Sequence, residues 1–303
     1  MSKTVLIAGA SGLIGNPLTQ LLIERGFTVY HLSRNLSKSN PGVKTFKWDV
    51  SRMEIDPKCI ENVDAIINLA GEGIADKAWT QKRKQQIIKS RTGSLKLLHD
   101  VLKEHPNHTV KTFISASAVG HYGDRKDEIL TEESEPGTDF LANTCLAWER
   151  AADKIENLGI RLIKLRTGMV LTQLGGALPQ IAKPIRLGFG AALGSGKQWV
   201  PWIHIEDVIS MYSYALENEE IRGIYNMTAP DPVTNRELTR AIAKQLQKRL
   251  WLPPVPEIAL RIWLGEMSRV VLNSNRTSSD KIQKTGFKFK FPTLESALKN
   301  IYA

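Results

Sequence analysis

Thr4-Val5-Leu6-Ile7-Ala8-Gly9-Ala10-Ser11-Gly12-Leu13-Ile14-Gly15 decides how the rest of the chain is read. Five strand-forming residues run directly into three glycines at Gly9, Gly12 and Gly15, and apolar residues at helical spacing follow as far as Arg25, where Gly26 stops the pattern. Strand, glycine turn and helix in that order form a dinucleotide-binding turn. Gly9 permits the tight turn, Gly12 lets a pyrophosphate approach the backbone, and Gly15 lets the helix pack closely on the strand. The helix N-terminus, reached through Ser11, Leu13 and Ile14, offers unpaired N–H groups and a positive dipole to the anion.

Working outward, short apolar runs recur at Thr28–Leu32, Lys44–Trp48, Ala65–Leu69, Thr112–Ser115 and Arg161–Leu165. Helical patterns at Gln81–Lys103 and Asp139–Leu158 fall between them. Alternating strands and helices predict an α/β fold, a Rossmann-type doubly wound parallel sheet. Residues 1–166 read as the NADP-binding domain, with elements from 200–230 returning to it. Residues 167–303 read as substrate-side loops and a smaller C-terminal lobe, its small domain spanning about 250–302. Glycines at 175, 176, 188, 190, 194 and 196 mark a segment too long for a plain turn. Thr234 is placed to cap a helix over Glu237–Lys248, and Pro253-Pro254-Val255-Pro256 breaks the chain before another apolar helix.

Of 303 residues, 42% are hydrophobic and 24% charged, which excludes a disordered or fibrous chain. Two cysteines, Cys59 and Cys145, form neither a CxxC pair nor a metal cluster, so no disulfide framework and no metal are expected. The net charge of +10 favours anionic partners, but the basic residues are scattered (Lys82-Arg83-Lys84, Lys248-Arg249, Lys281 to Lys290) with no nucleic-acid motif, and phosphorylated small molecules suit them better. Val5-Leu6-Ile7-Ala8 lacks a cleavage pattern, and the longest uncharged stretch, Thr167 to Ala182, is too short and too broken to span a bilayer. A cytoplasmic protein without membrane or nucleic-acid partners is expected.

The end of the second strand chooses the cofactor. An NAD site ordinarily presents a carboxylate there to the ribose hydroxyls, whereas this chain has Ser33-Arg34. A guanidinium pairs with a 2′-phosphate that a carboxylate would repel, so NADP(H) is preferred, against the plainer reading of Arg34 as a solvated turn residue. Asp49-Val50 after the third strand would flank the adenine. Leu69-Ala70-Gly71, following Asn68 at the end of the fourth, would pass under the ribose and pyrophosphate.

These motifs resemble the extended short-chain dehydrogenase/reductase superfamily. Trp79 through Ser90-Arg91, Asp139-Phe140-Leu141 to Trp148-Glu149, Arg166-Thr167-Gly168-Met169-Val170-Leu171, Leu193-Gly194-Ser195-Gly196 and Trp202-Ile203-His204-Ile205-Glu206-Asp207 are similar to its "epimerase family" branch, related to sugar-nucleotide epimerases. The resemblance covers essentially the whole chain. It implies roles toward the dinucleotide for Ser33, Arg34, Leu69, Ala70 and Arg91, with Gln86, Val170, Ser115 and Ala116 as further cofactor contacts. It also implies a small carbonyl or hydroxyl substrate and a homodimer through the two long helices.

One departure bears on mechanism. Members that move hydride carry Tyr-x-x-x-Lys on the helix after the fifth strand, where the lysine tunes the tyrosine for proton transfer. Aligning Trp148-Glu149 on that helix puts Leu141 and Cys145 at the two positions. Ser117, where the family's serine sits, and Tyr122 are the candidate catalytic groups, with His121 behind them; Cys145 as a nucleophile has no evident base. Lys197, Gln198 and Trp202 are candidates to meet a substrate, and His204 reads as structural. The expectation is an NADP(H)-binding oxidoreductase or epimerase lacking the usual pair, with a non-catalytic, redox-sensing NADP(H) binder as the alternative.

Overall fold

The computed structural model describes residues 3–36 and 42–303; the first two residues of the N-terminus lie outside that range. Eight strands make the central sheet: β1 (Thr4–Ala8), β2 (Thr28–Ser33), β3 (Lys44–Asp49), β4 (Glu54–Ile55), β5 (Ala65–Asn68), β6 (Thr112–Ala118), β7 (Arg161–Thr167) and β8 (Gly223–Met227). Their order is β8-β7-β6-β5-β1-β2-β3-β4. Every pair is parallel except β3 with β4. The order reverses between β1 and β5, and a doubly wound sheet opens a crevice at that point, beyond the carboxyl ends of its strands.

Strands buried on both faces need no alternation, and β1 is buried at all five positions. Long helices cover both faces: α1 (Gly15–Glu24) lies on one side, α2 (Gln81–Glu104) and α3 (Phe140–Glu156) on the other. Leu95, Leu98, Trp148 and Ala152 pack beneath α2 and α3, and Leu18, Leu22, Met211 and Tyr212 beneath α1 and the helix Ile205–Glu217. Thr80 and Asp139 cap α2 and α3 by accepting from the Arg83 and Ala142 N–H groups.

A third apolar core joins the helices Ala177–Arg186, Asn235–Gln245 and Leu294–Tyr302. Thr234 and Glu237 form a reciprocal capping box at the start of the second of these. Short strand pairs tie this lobe to the sheet: Met169–Leu171 runs beside Trp202–His204, and Ile129–Leu130 beside Arg276–Thr277. The glycine-rich segment is pinned rather than loose. Leu193 N–H donates to Asn235 Oδ1 at 2.8 Å, Gly194 N–H to Val255 O at 2.9 Å, and Gln198 Nε2 to Leu193 O at 2.9 Å.

Candidate functional site: a glycine-lined dinucleotide cleft

At the end of β1 the backbone turns through Gly9 at φ 82°, a conformation a side chain resists. A Cβ on Gly9 would stand 2.9 Å from the Leu69 carbonyl carbon, so the β1 and β5 turns touch there. On Gly15 it would stand 2.6 Å from Ala10 Cα, so α1 starts directly against the turn. Gly12 N–H closes the turn on Gly9 O at 3.1 Å. No side chain caps α1 and no acidic residue occupies its first turn. Asn16 N–H already donates to Gly12 O at 3.2 Å and Pro17 has no N–H, so what α1 offers an anion is chiefly the positive end of its dipole.

Above the turn lies a cleft of about 930 Å³. It brings together Gly9, Ser11, Gly12, Ser33, Arg34, Asp49, Val50, Leu69, Ala70, Gly71 and Gln86. Ser33 Oγ donates to Asn35 O at 2.9 Å and accepts from Asn35 N–H at 3.2 Å, fixing the turn that carries Arg34 to the rim. Arg34 is exposed and has no ion pair among the described residues. Asp49 accepts from Ser51 Oγ at 2.6 Å and from Ser51 N–H at 2.8 Å, and those bonds hold its carboxyl below the usual range. Trp48, Met53 and Lys89 also line the cleft, and sequence reasoning missed all three. Trp48 adjoins the Asp49-Val50 pair, which was the available signal. Asn68 shapes the opposite wall from below: its Nδ2 donates to Ser94 Oγ at 3.1 Å and its Oδ1 accepts from Ala70 N–H at 3.2 Å.

The other predicted cofactor contacts lie off this cleft. Leu13 packs toward Gly175 and Gly176, near Val170 O. Arg91 lies beneath Gly71 with its guanidinium over the Trp148 ring at 5.0 Å and donates to Ile87 O at 3.1 Å. Burial pushes the Arg91 pKa down, against the opposing pull of Cys145 and the Glu72 carboxylate. Ser115 and Ala116 are buried in β6, where Ser115 Oγ donates to Ala116 O at 3.0 Å.

The catalytic candidates Ser117 and Tyr122 are not among the residues lining this cleft. They do not present their hydroxyls to it; both are buried in one polar network. Ser117 Oγ donates to Glu149 Oε1 at 2.6 Å. Arg166 meets the same carboxylate bidentately, Nε to Oε1 at 2.8 Å and Nη2 to Oε2 at 2.9 Å. Tyr122 Oη donates to Asn226 Oδ1 at 2.6 Å and accepts from Arg166 Nη1 at 2.9 Å. Burial pushes Tyr122 up to about 12 and His121 down to about 4. Burial alone would raise Glu149, but the Arg166 guanidinium holds it below the usual range.

Leu141 and Cys145 pack against Gly120 at the turn after β6; burial pushes the Cys145 thiol up to about 12, the thiol rather than the thiolate at neutral pH. His204 caps the helix Ile205–Glu217 and stacks on Phe291 at 4.0 Å. Trp202 and Gln198 are buried, and Lys197 is exposed. Among the described residues no cluster of His, Cys, Asp or Glu is placed to hold a metal.

A second, polar cleft of about 750 Å³ separates the loops at 122–125 and 136–139 from the segment 257–273. Asp139 Oδ2 accepts from Asn273 Nδ2 at 2.8 Å and lies 3.9 Å from Arg269 Nη1, and Lys84 pairs with Glu266; these contacts tie the segment to the sheet domain.

Residues 5–228 match the family model described as NAD dependent epimerase/dehydratase family. The chain belongs to that family. Residues 255–301 match a second model, a domain of unknown function (DUF1731). The chain is 36% identical over 300 residues to the epimerase family protein YfhF of Bacillus subtilis, covering 99% of this chain and 98% of that one. It is 35% identical to the chloroplastic epimerase family protein SDR39U1 homolog of Arabidopsis thaliana, covering 98% and 86%. The crystal structure of human epimerase family protein SDR39U1 (isoform2) with NADPH superposes with a TM-score of 0.86 at 31% identity, covering 99% of each chain. The fold also matches the UDP-glucose 4-epimerase of Thermus thermophilus in complex with NAD, at a TM-score of 0.74 and 18% identity, covering 99% and 97%.

Proposed function

We propose that this chain binds NADP(H) in preference to NAD(H) and acts on a small carbonyl or hydroxyl compound as an atypical short-chain dehydrogenase/reductase without the Tyr-x-x-x-Lys pair. The observation that carries the cofactor preference is Arg34, an exposed guanidinium without an ion pair among the described residues, at the rim of the glycine-lined cleft where an NAD site would hold a carboxylate. Gly9, Gly12 and the uncapped start of α1 would receive the pyrophosphate. Arg34 would receive the 2′-phosphate, and Asp49 and Val50 would border the adenine. The NADPH in the human relative's structure supports the preference, and the NAD in more distant ones marks the competing cofactor. When bound, the dinucleotide supplies hydride chemistry; the residues here bind and orient it.

A second reading, a cofactor-binding regulator without turnover, is favoured by one specific observation. The hydroxyls of Ser117 and Tyr122 are directed into the Glu149–Arg166 network, and Leu141 and Cys145 offer no proton near neutral pH. Calorimetry with NADPH and NADH tests what the two readings share: NADPH should bind roughly 10- to 100-fold more tightly, the worth of one charge-assisted phosphate pair. Equal affinity, or no binding, removes both. Oxidation of bound NADPH by a panel of small carbonyl compounds then separates them, because only the enzyme turns over.

A further inference from the structure

The helix Glu257–Leu264 is oriented against the usual logic of an amphipathic helix, which turns its apolar stripe inward. Of its eight residues only Leu260 is buried. Glu257 and Arg261 pair with each other at 2.5 Å and line the polar cleft, while Ile258, Ile262 and Trp263 stand in solvent, Trp263 with 87% of its surface exposed. The chain reaches this helix through Trp251, itself 68% exposed, whose indole N–H donates to Gly188 O at 2.9 Å beside the exposed Phe189. A monomeric surface rarely leaves this many large apolar side chains uncovered along one continuous stretch. Lys248 and Arg249 lie three and two residues before Trp251, and Arg186 lies three before Phe189; all three are exposed and without an ion pair among the described residues, Arg186 resting over the Tyr302 ring at 5.8 Å.

We propose that this face docks on an anionic lipid surface, with the indoles and isoleucines entering the headgroup region and the three cations meeting lipid phosphates. Tryptophan suits that boundary because one edge of its ring is apolar and the other donates a hydrogen bond. A short helix lying flat with cations beside it binds by apolar burial together with attraction to anionic lipid. Charge selects the occupant. A second copy of the chain, meeting this face through a two-fold axis, would bring two sets of the exposed cations Arg186, Lys248 and Arg249 together, whereas an anionic surface neutralises them. The net charge of +10 acts in the same direction. The expectation of no membrane partner rested on the lack of a spanning segment; no helix of the described residues is long and apolar enough to cross a bilayer, and surface docking needs none. The proposal is independent of the cofactor reading.

Sedimentation of the full chain with vesicles tests it, comparing phosphatidylcholine alone with an equimolar mixture of phosphatidylcholine and phosphatidylglycerol. The chain should pellet with the anionic vesicles only. The variant pairs Ile262→Glu with Trp263→Glu, and Lys248→Glu with Arg249→Glu, should each weaken partition roughly tenfold or more while leaving the circular dichroism spectrum and melting temperature unchanged. Absence of pelleting with either vesicle overturns the proposal, as does pelleting of both variants like the native chain. So does a dimer, seen by light scattering, that the Ile262→Glu and Trp263→Glu pair dissociates, because a second copy would then be what covers the face.

Discussion

Replacing Glu149 by Gln should be among the most damaging isosteric changes available to this chain, and it should damage stability before chemistry. The carboxylate is buried and accepts from three donors: Ser117 Oγ at 2.6 Å, Arg166 Nε at 2.8 Å and Arg166 Nη2 at 2.9 Å. Glutamine keeps the shape but removes the charge, and it turns an NH2 group toward at least one of those donors. Arg166, 3% exposed, would then be a buried cation facing a neutral amide, held by Tyr122 Oη, Glu132 O and at most one remaining side-chain oxygen at position 149. Breaking one side of such a pair costs about 3–5 kcal/mol, against a total stability of about 5–15 kcal/mol. Urea unfolding followed by tryptophan emission measures it.

The double change Glu149→Leu with Arg166→Met removes both charges at similar volume and should recover at least about 2 kcal/mol of the loss, since a buried pair is often no better than apolar replacements. If Glu149→Gln unfolds within about 0.5 kcal/mol of the native chain, the network is not a structural strut and the reasoning fails. It fails equally if NADPH turnover vanishes while stability stays put, because the carboxylate would then be serving chemistry.

Arg34→Ala should weaken NADPH binding by roughly 10- to 100-fold in calorimetry and leave NADH unchanged; a parallel loss for both would place Arg34 elsewhere than on the 2′-phosphate. Gly15→Ala puts a methyl 2.6 Å from Ala10 Cα and should cost about 1–3 kcal/mol in the same unfolding assay while weakening either dinucleotide. His31 and His121 are held near 4 by burial, so between their ordinary 6.5 and about 4 the unfolded chain takes protons the folded one refuses. Stability should therefore be full above about pH 6.5 and decline on acidification toward pH 5, by at most about 1.4 kcal/mol per pH unit for each histidine; a urea midpoint that holds or rises from pH 7.5 to 5 counts against this. If the chain turns over a carbonyl compound, its rate should be flat from about pH 6 to 8, with no inflection from His121, Tyr122 or Cys145. A bell centred in that range would mean that one of them reaches the substrate with an ordinary pKa.

The parallel sheet was legible because its strands are buried on both faces, and the expected runs at Thr4–Ala8, Thr28–Leu32 and Lys44–Trp48 match β1, β2 and β3 to within a residue. The glycine turn was legible for the same local reason: spacing alone dictates where a Cβ cannot stand. Ser117 and Tyr122 were not, because what decides a hydroxyl's role is its partner. Those partners, Glu149 and Asn226, are 32 and 104 residues away in the chain. The apolar helix after Pro256 was also expected, but its direction was not. Ile258 and Ile262 have the spacing of a buried stripe, and only the placement of Leu260 and Arg261 shows which side turned inward.

Taken together, these placements show that the glycine-lined cleft is built independently of positions 141 and 145. Position 145 holds a thiol that burial keeps neutral, position 141 holds a leucine, and the space beside them is occupied by Glu149 and Arg166 locked to each other. A lysine at 145 would add a third buried cation beside Arg91 and Arg166, both of which act on the Cys145 environment already, while Glu149 is committed to Arg166. The Glu149–Arg166 pair and the missing lysine are thus two aspects of one electrostatic arrangement, in which the site's charge is permanently committed. By contrast, the cradle at Gly9, Gly12 and Gly15 depends on backbone and helix dipole alone, with no side chain to titrate, so the proposed recognition of a dinucleotide does not depend on the residues of the helix opposite.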